Sequence, residues 1–563
     1  MIQASNVPVS LDALLPENES LFRREITRTL GVKTSAITEV KLLKRSIDAR
    51  KKSNVHGVVT VAVELAEGAD PRPVKGVAVK AYEPPEPLSI PHVEPTGLRP
   101  VVVGAGPAGL FCALYLARAG LRPLVVERGA SVDERVEIVE AFNAGAPLDT
   151  RTNIQFGEGG AGTFSDGKLN TGIKSPHIRH VLEAFVEAGA PEDILVDAKP
   201  HIGTDLLVGV VRNLRRAIEE AGGEVRFLTR LDGLVLEGGA ADRPGVADAV
   251  DEVGGEDGEA RVTAVRLVDE RTGAAEVFAT DCVVLACGHS ARDTFQMVCE
   301  AGADMARKPF AVGVRIEHPQ AFVDARQYHL RPDRKRPEQL PAARYSVTTT
   351  IRDRGVHSFC MCPGGFIVPA ATENDEVVVN GMSLARRDSP FANAGFVVSV
   401  HPEDTESFRR EHGVLAGVAY QKALETASSR AGGGMQKAPA QKVEDFLNGR
   451  VSSSLLPTSY HPGITSHPLH ELLPGEIVWR MREGLRQFDH KWRGFAGASA
   501  QLIGCETRTS SPVRIPRDPA TLEHPGLEGL YPCGEGAGYA GGIVSAALDG
   551  RRCAEAMARQ MSR

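Results

Sequence analysis

Three glycines early in the chain have the spacing of a phosphate-binding turn. Gly104, Gly106 and Gly109 follow a run of valines and precede an apolar stretch that is typical of a helix. The first glycine would allow a tight turn, the second would let the backbone approach a pyrophosphate, and the third would let the helix pack close to the strand. Pro107 and Ala108 begin that helix, whose N-terminus offers free N–H groups and a positive dipole end to the anion.

An acid at the end of the next strand completes this unit. Glu127 closes the apolar run Pro123–Val126, where a carboxylate can accept hydrogen bonds from ribose hydroxyls. Arg128 follows it directly and is a further candidate contact. Because strand, helix, second strand and acid are all present, Pro100–Gly129 predicts a dinucleotide-binding βαβ unit. The alternative, a glycine-rich turn in another kind of α/β protein, explains less of this pattern.

A second glycine-rich segment lies at Asn153–Lys168. It has too many glycines for a stable helix or strand, and they would let the backbone run close to something large and flat. A flavin or its pyrophosphate is the obvious candidate, with Gly159, Gly160 and Ala161 as the expected contacts. The alternative is a surface loop.

Two later segments place small residues where strands end. The first is the apolar strand Asp281–Gly288, which ends where open α/β sheets bind ligands. Its last residues are Ala286, Cys287 and Gly288. The second is CGEGAGYAGG, after which a helix is expected from about Ile543. The candidate contacts in this second segment are Gly534, Glu535, Gly541 and Gly542.

Together these segments resemble the FAD-binding fold of the glutathione-reductase type. The resemblance implies that the first glycines and Glu127 bind the ADP half of FAD, and that residues 286–288 close the site. Gly534 and Glu535 take the position of the motif that holds the ribityl chain, with glutamate in place of the usual aspartate. The residues that the resemblance places against the flavin pyrimidine are Gly541, Gly542 and Ile543.

More narrowly, nearly the whole chain is similar to a family of bacterial FAD-dependent dehydrogenases whose substrate is unassigned. The stretches that carry this resemblance are RSIDARKK, NIQFGEGGAGTFSDGK, GHSARDT, KPFAVGVRIEHP, SFCMCPGG, ETRTSSPVRI and YPCGEGAGYAGG.

Two charged residues are the candidates for catalysis. Arg508 would place a cation near the flavin pyrimidine, where hydride transfer leaves negative charge, or would hold an anionic group of the substrate. Glu506 lies two residues earlier, and the alternative for both is an internal ion pair. Lys168 and His289 are weaker candidates. Three histidines between 461 and 470 lie in a proline-containing loop without a helix face, so no metal site is predicted.

The order of elements predicts an α/β protein with a Rossmann-like FAD-binding domain built on a mixed sheet. A small α+β domain is expected at 1–95, followed by the first part of the FAD-binding domain at 96–307. A mainly antiparallel substrate domain is inserted at 308–501, and the FAD-binding domain resumes at 502–563. An acidic, glycine-rich insert at 238–259 is expected to form an exposed hairpin.

The composition favours a globular protein of the cytoplasm. Of 563 residues, 42% are hydrophobic and 24% are charged, and the net charge of −7 indicates no general affinity for nucleic acid. Neither a secretory signal nor a membrane segment is recognised. Nine scattered cysteines suit a reducing compartment, and Cys360 and Cys362 are interpreted as small buried residues on a strand. The basic residues at 41–52 favour a solvated face or a patch docked on the acidic remainder.

These expectations combine into one leading function and several alternatives. The leading function is an FAD-dependent oxidoreductase, a dehydrogenase or reductase that transfers hydride between the flavin and an unidentified small organic substrate. NAD(P)H is one candidate for a transient reductant, although no second complete nucleotide-binding unit is present. The alternatives are a flavin-dependent tRNA-modifying enzyme, suggested by the basic cluster, a flavin monooxygenase, and a non-catalytic redox sensor or scaffold. The sequence indicates neither the substrate nor the oligomeric state.

Overall fold

The computed structural model describes residues 1–52, 54–95, 97–238, 260–331 and 334–561. Apart from Gly238, the acidic insert expected as a hairpin at 238–259 lies outside the described residues.

The first half of the chain alternates between strands and helices. Its N-terminal elements are β1 (Ile2–Val9), α1 (Glu19–Leu30), β2 (Ile37–Asp48), β3 (His56–Leu65) and β4 (Ala78–Ala81). The next are β5 (Val101–Val103), α2 (Pro107–Arg118), β6 (Leu124–Val126), α3 (Val132–Asn143), α4 (Gly160–Thr163), α5 (Ile178–Glu187), α6 (Thr204–Glu220), β7 (Glu224–Arg226), β8 (Thr229–Glu237), β9 (Ala260–Asp269), β10 (Ala275–Ala279), β11 (Val283–Leu285) and α7 (Arg292–Glu300).

The second half of the chain is richer in strands. Its elements up to residue 448 are β12 (Ala306–Arg307), β13 (Phe310–Pro319), α8 (Gln320–Gln327), β14 (Thr348–Ile351), β15 (Arg354–Cys362), β16 (Phe366–Pro369), β17 (Val379–Met382), β18 (Phe391–Val400), α9 (Glu406–His412), α10 (Ala416–Gly432), β19 (Ala438–Lys442) and α11 (Val443–Asn448). The last are β20 (Ile464–Ser466), α12 (Leu469–Leu472), α13 (Gly475–Lys491), β21 (Gln501–Glu506), β22 (Val513–Arg514), β23 (Leu527–Glu528), β24 (Leu530–Pro532) and α14 (Ile543–Met561).

A five-stranded parallel sheet forms the centre of the nucleotide-binding part. Its order is β24-β11-β5-β6-β7, so the C-terminal strand β24 lies beside β11. The valines of β5 are buried on both faces, as expected for a parallel strand covered on each side. On one face α2 packs against α14 and α6, which explains why α2 is apolar almost all round. The expected combination of Rossmann-like and antiparallel sheets is confirmed.

A seven-stranded sheet forms the inserted part, which we call the cap. Its order is β14-β15-β18-β13-β21-β19-β20, and its pairs are antiparallel except for β19 with β20. Helix α13 covers one face, where Met481, Leu485 and Phe488 are buried against Phe396 and Val356. The expectation of a mainly antiparallel insert is confirmed. Strand β15 of this sheet reaches the candidate site, as does β17, which pairs with β16 in a separate two-stranded sheet.

The N-terminal sheet is attached to the nucleotide-binding part through its edge strand β2. The N–H of Arg45 donates to the carbonyl of Val196 at 2.7 Å, and the N–H of Ala198 donates to the carbonyl of Arg45 at 2.9 Å. The Arg45 guanidinium also pairs with Asp193 at 2.9 Å and Asp197 at 2.5 Å. Part of the basic cluster therefore docks on acidic residues of the same chain.

The helices and the cysteines each bear on the kind of protein this is. Within the described residues, no helix has both the length and the apolar character needed to cross a membrane. All nine cysteines are free thiols.

Candidate functional site

A cavity of about 370 Å³ opens where the strands of the parallel sheet end. It brings together most of the residues that the sequence singled out, from segments spread over more than four hundred positions. The predicted contacts in its wall are Gly104, Gly106, Pro107, Ala108, Glu127, Arg128, Gly160, Ala161, Ala286, Cys287, Gly288, Glu535, Gly541, Gly542 and Ile543. Gly109, Gly159 and Gly534 lie behind the wall, in the turns that support it.

The first glycine turn has the geometry that a phosphate-binding loop requires. Gly104 has φ +99°, and a Cβ there would lie 2.5 Å from the carbonyl oxygen of Ala286. A Cβ on Gly109 would overlap the carbonyl oxygen of Gly104, so α2 can pack this closely only with glycine. Gly106 differs because its φ of −75° is ordinary and the nearest atom to a Cβ added there would be Gly160 Cα at 3.9 Å. Its open side faces the cavity.

Two helix N-termini present unpaired donors at this cavity. Within the described residues, the N–H groups of Ala108 and Gly109 at the start of α2 have no acceptor in the protein. The same holds for the N–H groups of Ile543 and Val544 at the start of α14. A pyrophosphate or another group rich in acceptors would satisfy these donors and the two positive dipole ends. The residues present therefore fit a dinucleotide cofactor.

The Glu127 carboxylate connects three loops of the site by hydrogen bonds. Its Oε2 accepts the N–H of Ala105 at 2.9 Å, and its Oε1 accepts the N–H groups of Gly129 at 2.9 Å and Gly157 at 3.0 Å. Oε2 keeps capacity for a further donor on the cavity side. The carboxylate thus joins the first glycine turn to the second glycine-rich segment, and its contact with a ribose stays a prediction.

Glu535 is the acid at the ribityl position, facing the cavity near Lys308. Burial raises the pKa of Glu535 to about 7, and the Lys308 ammonium opposes this shift. The neighbouring Gly534 donates its N–H to Asp549 on α14 at 2.8 Å, which fixes the turn against the last helix. Glu535 therefore carries a titratable proton near neutral pH at the place where the cofactor chain is expected.

Arg508 lies in the cavity wall inside a buried network of charges. Its guanidinium contacts Glu376 at 2.7 Å and Glu425 at 2.9 Å, and it donates to Ser290 Oγ at 3.2 Å. Arg292 pairs with the same two carboxylates. Two cations and two anions thus balance, so Arg508 is held firmly and its charge is largely compensated.

Glu506 lies behind the wall and not in it. It pairs with Arg315 at 2.7 Å, and both side chains are buried. Burial raises the pKa of Glu506 to about 7, opposed by the Arg315 guanidinium. An internal ion pair between Glu506 and Arg508 is therefore not formed; each residue has other partners.

Several residues of the wall were not singled out from the sequence. Phe359, Cys360 and Asn380 reach it from cap strands, and Asp166 lies beside Lys168 at 3.0 Å. Lys168 and His289, the weaker candidates, both line the cavity. Asp166 lies in the stretch NIQFGEGGAGTFSDGK, and Phe359 and Cys360 lie in SFCMCPGG, both of which carry the family resemblance. The alternation of a regular strand does not show which side chains of the second stretch face the cavity.

His289 is held in its neutral form at the end of strand β11. Burial and the nearby Arg508 and Arg292 guanidinium groups lower the pKa of His289 to about 4. Its Nδ1 lies 3.1 Å from Ser290 Oγ. A neutral imidazole in the wall can donate or accept a hydrogen bond but carries no charge at neutral pH.

Three family models match separate parts of the chain. A model described as "FAD-dependent protein, C-terminal domain-like" matches residues 309–509. A model of an NAD(P)-binding Rossmann-like domain matches residues 102–146. A domain of unknown function matches residues 1–64. The chain is therefore an FAD-dependent flavoprotein with a Rossmann-like nucleotide-binding unit.

Comparison with whole proteins gives one relative that matches nearly the full chain and one that matches part of it. An uncharacterized protein of Clostridium beijerinckii is 40% identical over 565 residues, covering 98% of both chains. Thioredoxin reductase of Streptomyces coelicolor is 31% identical over 130 residues, or 23% of this chain and 35% of that protein.

The similar solved structures are more distant. A geranylgeranyl bacteriochlorophyll reductase-like protein of Thermoplasma acidophilum is 11% identical, with a TM-score of 0.34 over 82% of this chain and 78% of that one. A flavin-dependent brominase is 12% identical, with a TM-score of 0.34 over 83% and 79%. These similarities are too low to indicate a shared activity.

Proposed function

The chain belongs to the same protein family as the uncharacterized protein of Clostridium beijerinckii, and we propose that it is a dehydrogenase or reductase that transfers hydride between FAD and a small organic substrate. This proposal includes a relationship to enzymes of the glutathione-reductase type. It also includes a location in the cytoplasm, because the nine cysteines are free thiols and a reducing compartment keeps thiols free.

The cavity residues divide naturally between the two halves of the cofactor. The unpaired N–H groups of α2 and the Glu127 carboxylate would hold the ADP half, and the start of α14 would lie against the flavin. When bound, FAD supplies the group that accepts or donates hydride. The protein orients it, excludes water and places a positive dipole end where negative charge develops on reduction.

One observation carries this proposal: the cofactor cavity continues onto the cap. Phe359 and Asn380 of the cap line the same cavity as the glycine turns, as do Arg508 and Thr509. A substrate bound against these side chains would meet the flavin inside the same cavity. The five N–H groups of the Arg508 guanidinium all donate to protein acceptors, on Glu425, Glu376, Ser290 and Thr372, so Arg508 would shape and stabilise this wall of the substrate site.

The test is anaerobic stopped-flow spectroscopy of the purified yellow protein. NADH, NADPH and a panel of small organic reductants are mixed with it in turn, and loss of flavin absorbance is followed. We expect at least one of them to bleach the flavin rapidly, and a second substrate to restore the colour in turnover. If oxygen alone reoxidises the flavin rapidly and an oxygen atom is inserted into the product, the protein is a monooxygenase and not a dehydrogenase. Bleaching without turnover on any acceptor would favour a redox sensor or scaffold.

The tRNA alternative draws its support only from the basic cluster at 41–52. Arg45 in this cluster pairs with Asp193 and Asp197 of the same chain, and Arg50 pairs with its neighbour Asp48. These contacts favour the interpretation of the cluster as a docked patch. Salt-sensitive tRNA binding that is lost when Lys51 and Lys52 are changed to Glu would revive the alternative.

A further inference from the structure

Two cysteines of the cap strand β15 meet at an irregular point of the sheet. The pairing of β15 with β18 shifts register between Phe359 and Cys362. Inside this bulge Cys360 has φ +41°, a left-handed conformation that non-glycine residues seldom adopt. In a regular strand, residues two apart share a face, whereas a bulge re-aims one of them. The bulge in β15 places Phe359 and Cys360 together in the cavity wall.

The neighbouring Cys362 is buried directly behind this wall. Its thiol donates to the carbonyl of Cys360 at 3.3 Å. Its Sγ also lies 3.6 Å from an Arg315 guanidinium nitrogen and 4.0 Å from Lys168 Nζ. Arg315 additionally donates to the Cys360 carbonyl at 2.6 Å. Two cations therefore lie next to the Cys362 sulfur, and one of them also binds the Cys360 carbonyl.

The charges around the pair come from several elements. Lys168 is held by Asp166, which also pairs with Arg387, and Arg315 is held by Glu506. Glu535, which also lines the cavity, interacts electrostatically with Cys360. The hydrogen bond from Cys362 is the main cause that lowers the pKa of the Cys360 thiol, with Lys168 and Arg315 adding to it, and Asp166 acting against it.

The other sulfurs in reach of the cavity behave differently. The pKa of the Cys362 thiol is raised, because it gives its hydrogen bond to Cys360 and is buried. Cys287 also lines the cavity, but burial raises the pKa of its thiol to about 12. Between Cys287 and Cys360, which both line the cavity, Cys360 in the bulge is therefore the one whose thiol pKa is lowered.

We propose that Cys360 and Cys362 form a redox-active thiol pair that exchanges electrons with FAD in the cavity. This inference rests on the proposed function, since FAD is its oxidant. In the step, the Cys360 thiolate and the Cys362 thiol form one S–S bond as the Cys362 S–H bond breaks. Two electrons and the proton from Cys362 pass to FAD, and the reverse step returns the Cys360 thiolate and the Cys362 thiol. Cys360 is the sulfur that faces the cofactor, and Arg315 is a positioning residue that acts through Cys362.

The direct test counts free thiols in the wild-type flavoprotein. One sample is reduced anaerobically with dithionite and another is left oxidised in air. Each is then unfolded in denaturant that contains iodoacetamide, and the mass of the peptide that contains both cysteines is measured by mass spectrometry. We expect both cysteines to be labelled after reduction and neither after oxidation, while Cys299 and Cys505 are labelled in both states. Equal labelling of Cys360 and Cys362 in the two states would overturn the proposal, and this test needs no substitution that could impair folding.

The number of electrons that the protein takes up distinguishes a failure of the thiol-pair proposal from a failure of the proposed function. In a dithionite titration the wild type should take up two electrons for the flavin and two more for the sulfur pair, whereas Cys360→Ser should take up only those of the flavin. Cys299→Ser, a half-buried cysteine outside the cavity, should match the wild type. Equal uptake by wild type and Cys360→Ser would overturn the thiol proposal alone. A colourless wild-type protein would overturn both.

The role of Lys168 is tested by the pH profile of alkylation. With the pair reduced, removing the ammonium in Lys168→Met should raise the pKa of Cys360 and slow its reaction with iodoacetamide about tenfold near neutral pH. Lys168→Arg should restore most of the rate because the charge is kept. An unchanged profile in Lys168→Met would contradict the assignment of Lys168 as the cation that stabilises the thiolate.

Discussion

At the scale of single residues, the site is dominated by buried charges that have specific partners. Arg508 and Arg292 share Glu376 and Glu425, and all of this network is buried or nearly so. Removing one member of such a group leaves an uncompensated charge away from water. The sequence singles out Arg508 and Glu506 as catalytic candidates, with an internal ion pair as the alternative. The structure separates them because β21 ends at Glu506, so strand alternation does not extend to Arg508.

The network predicts a large loss of stability when its cation is removed. Arg508→Met should lower the free energy of unfolding by about 3–5 kcal/mol, because Glu376 and Glu425 would then share one cation. Urea unfolding followed by circular dichroism measures this loss. Arg410→Met, at an exposed position, should change the stability by less than about 0.5 kcal/mol. If both variants unfold at the same urea concentration, Arg508 is not held by this network.

Glu535 predicts a pH dependence with a definite sign. Its pKa is about 7 in the folded protein and 4.5 in an ordinary environment, so its contribution to stability is lost as the pH rises from about 4.5 through about 7. Glu535→Gln imitates the neutral acid, so its melting temperature should gain a few degrees over the wild type between about pH 5 and pH 8. The exposed control Glu528→Gln should show no such trend. A difference that stays constant with pH would contradict the assignment.

At the scale of elements, the local units could be predicted and the contacts between them could not. The βαβ unit is fixed by short-range constraints, since Gly104 and Gly109 are needed within one turn. The packing of α14 on α2 joins residues more than four hundred positions apart and left no local signal. It depends on Gly550, where a Cβ would overlap the carbonyl oxygen of Ala108. The bulge at Cys360 likewise could not be predicted from the sequence, because it depends on the register in which β15 pairs with β18.

This helix contact predicts contrasting effects for two glycine substitutions. Gly550→Ala should push α14 away from the start of α2 and lower the stability by about 2 kcal/mol or more, with loss of bound flavin. Gly209→Ala, on helix α6 where an added Cβ would meet open space, should be neutral or stabilising by about 0.5–1 kcal/mol. Thermal unfolding and flavin content are measured for both. Equal stability of the two variants would contradict the close packing of α14.

At the scale of the whole molecule, three parts of the chain are joined through strands and ion pairs. The order of the cap sheet, in which β21 returns beside β13, could not be read from the sequence because it depends on non-local pairing. The general architecture could be predicted, since the parallel and antiparallel parts differ in pattern. The docking of β2 on residues 196–198 gives Arg45 of the basic cluster an internal contact, whereas the other basic residues of the cluster are exposed, namely Lys41, Lys44, Arg50, Lys51 and Lys52.

Docking through Arg45 predicts a change in protease sensitivity. Arg45→Asp should repel Asp193 and Asp197 and loosen the N-terminal sheet, so cleavage between residues 82 and 99 should become several-fold faster. Lys41→Asp makes the same change of charge at an exposed position of the same strand and should leave the rate unchanged. Limited proteolysis with mass spectrometry provides both rates. Equal acceleration in both variants would indicate a general effect of charge and not a docked contact.

The measurement that tests the central claim most directly is the FAD content of wild type and Gly106→Val. Gly106 has an ordinary φ of −75° and open space where a side chain would begin, so valine should leave the fold intact while it blocks the approach to the N-terminus of α2. We predict about one FAD per wild-type chain, and at least a tenfold weaker affinity in Gly106→Val with an unchanged far-ultraviolet circular dichroism spectrum. Full occupancy by FAD in the variant would contradict the placement of the cofactor in this cavity.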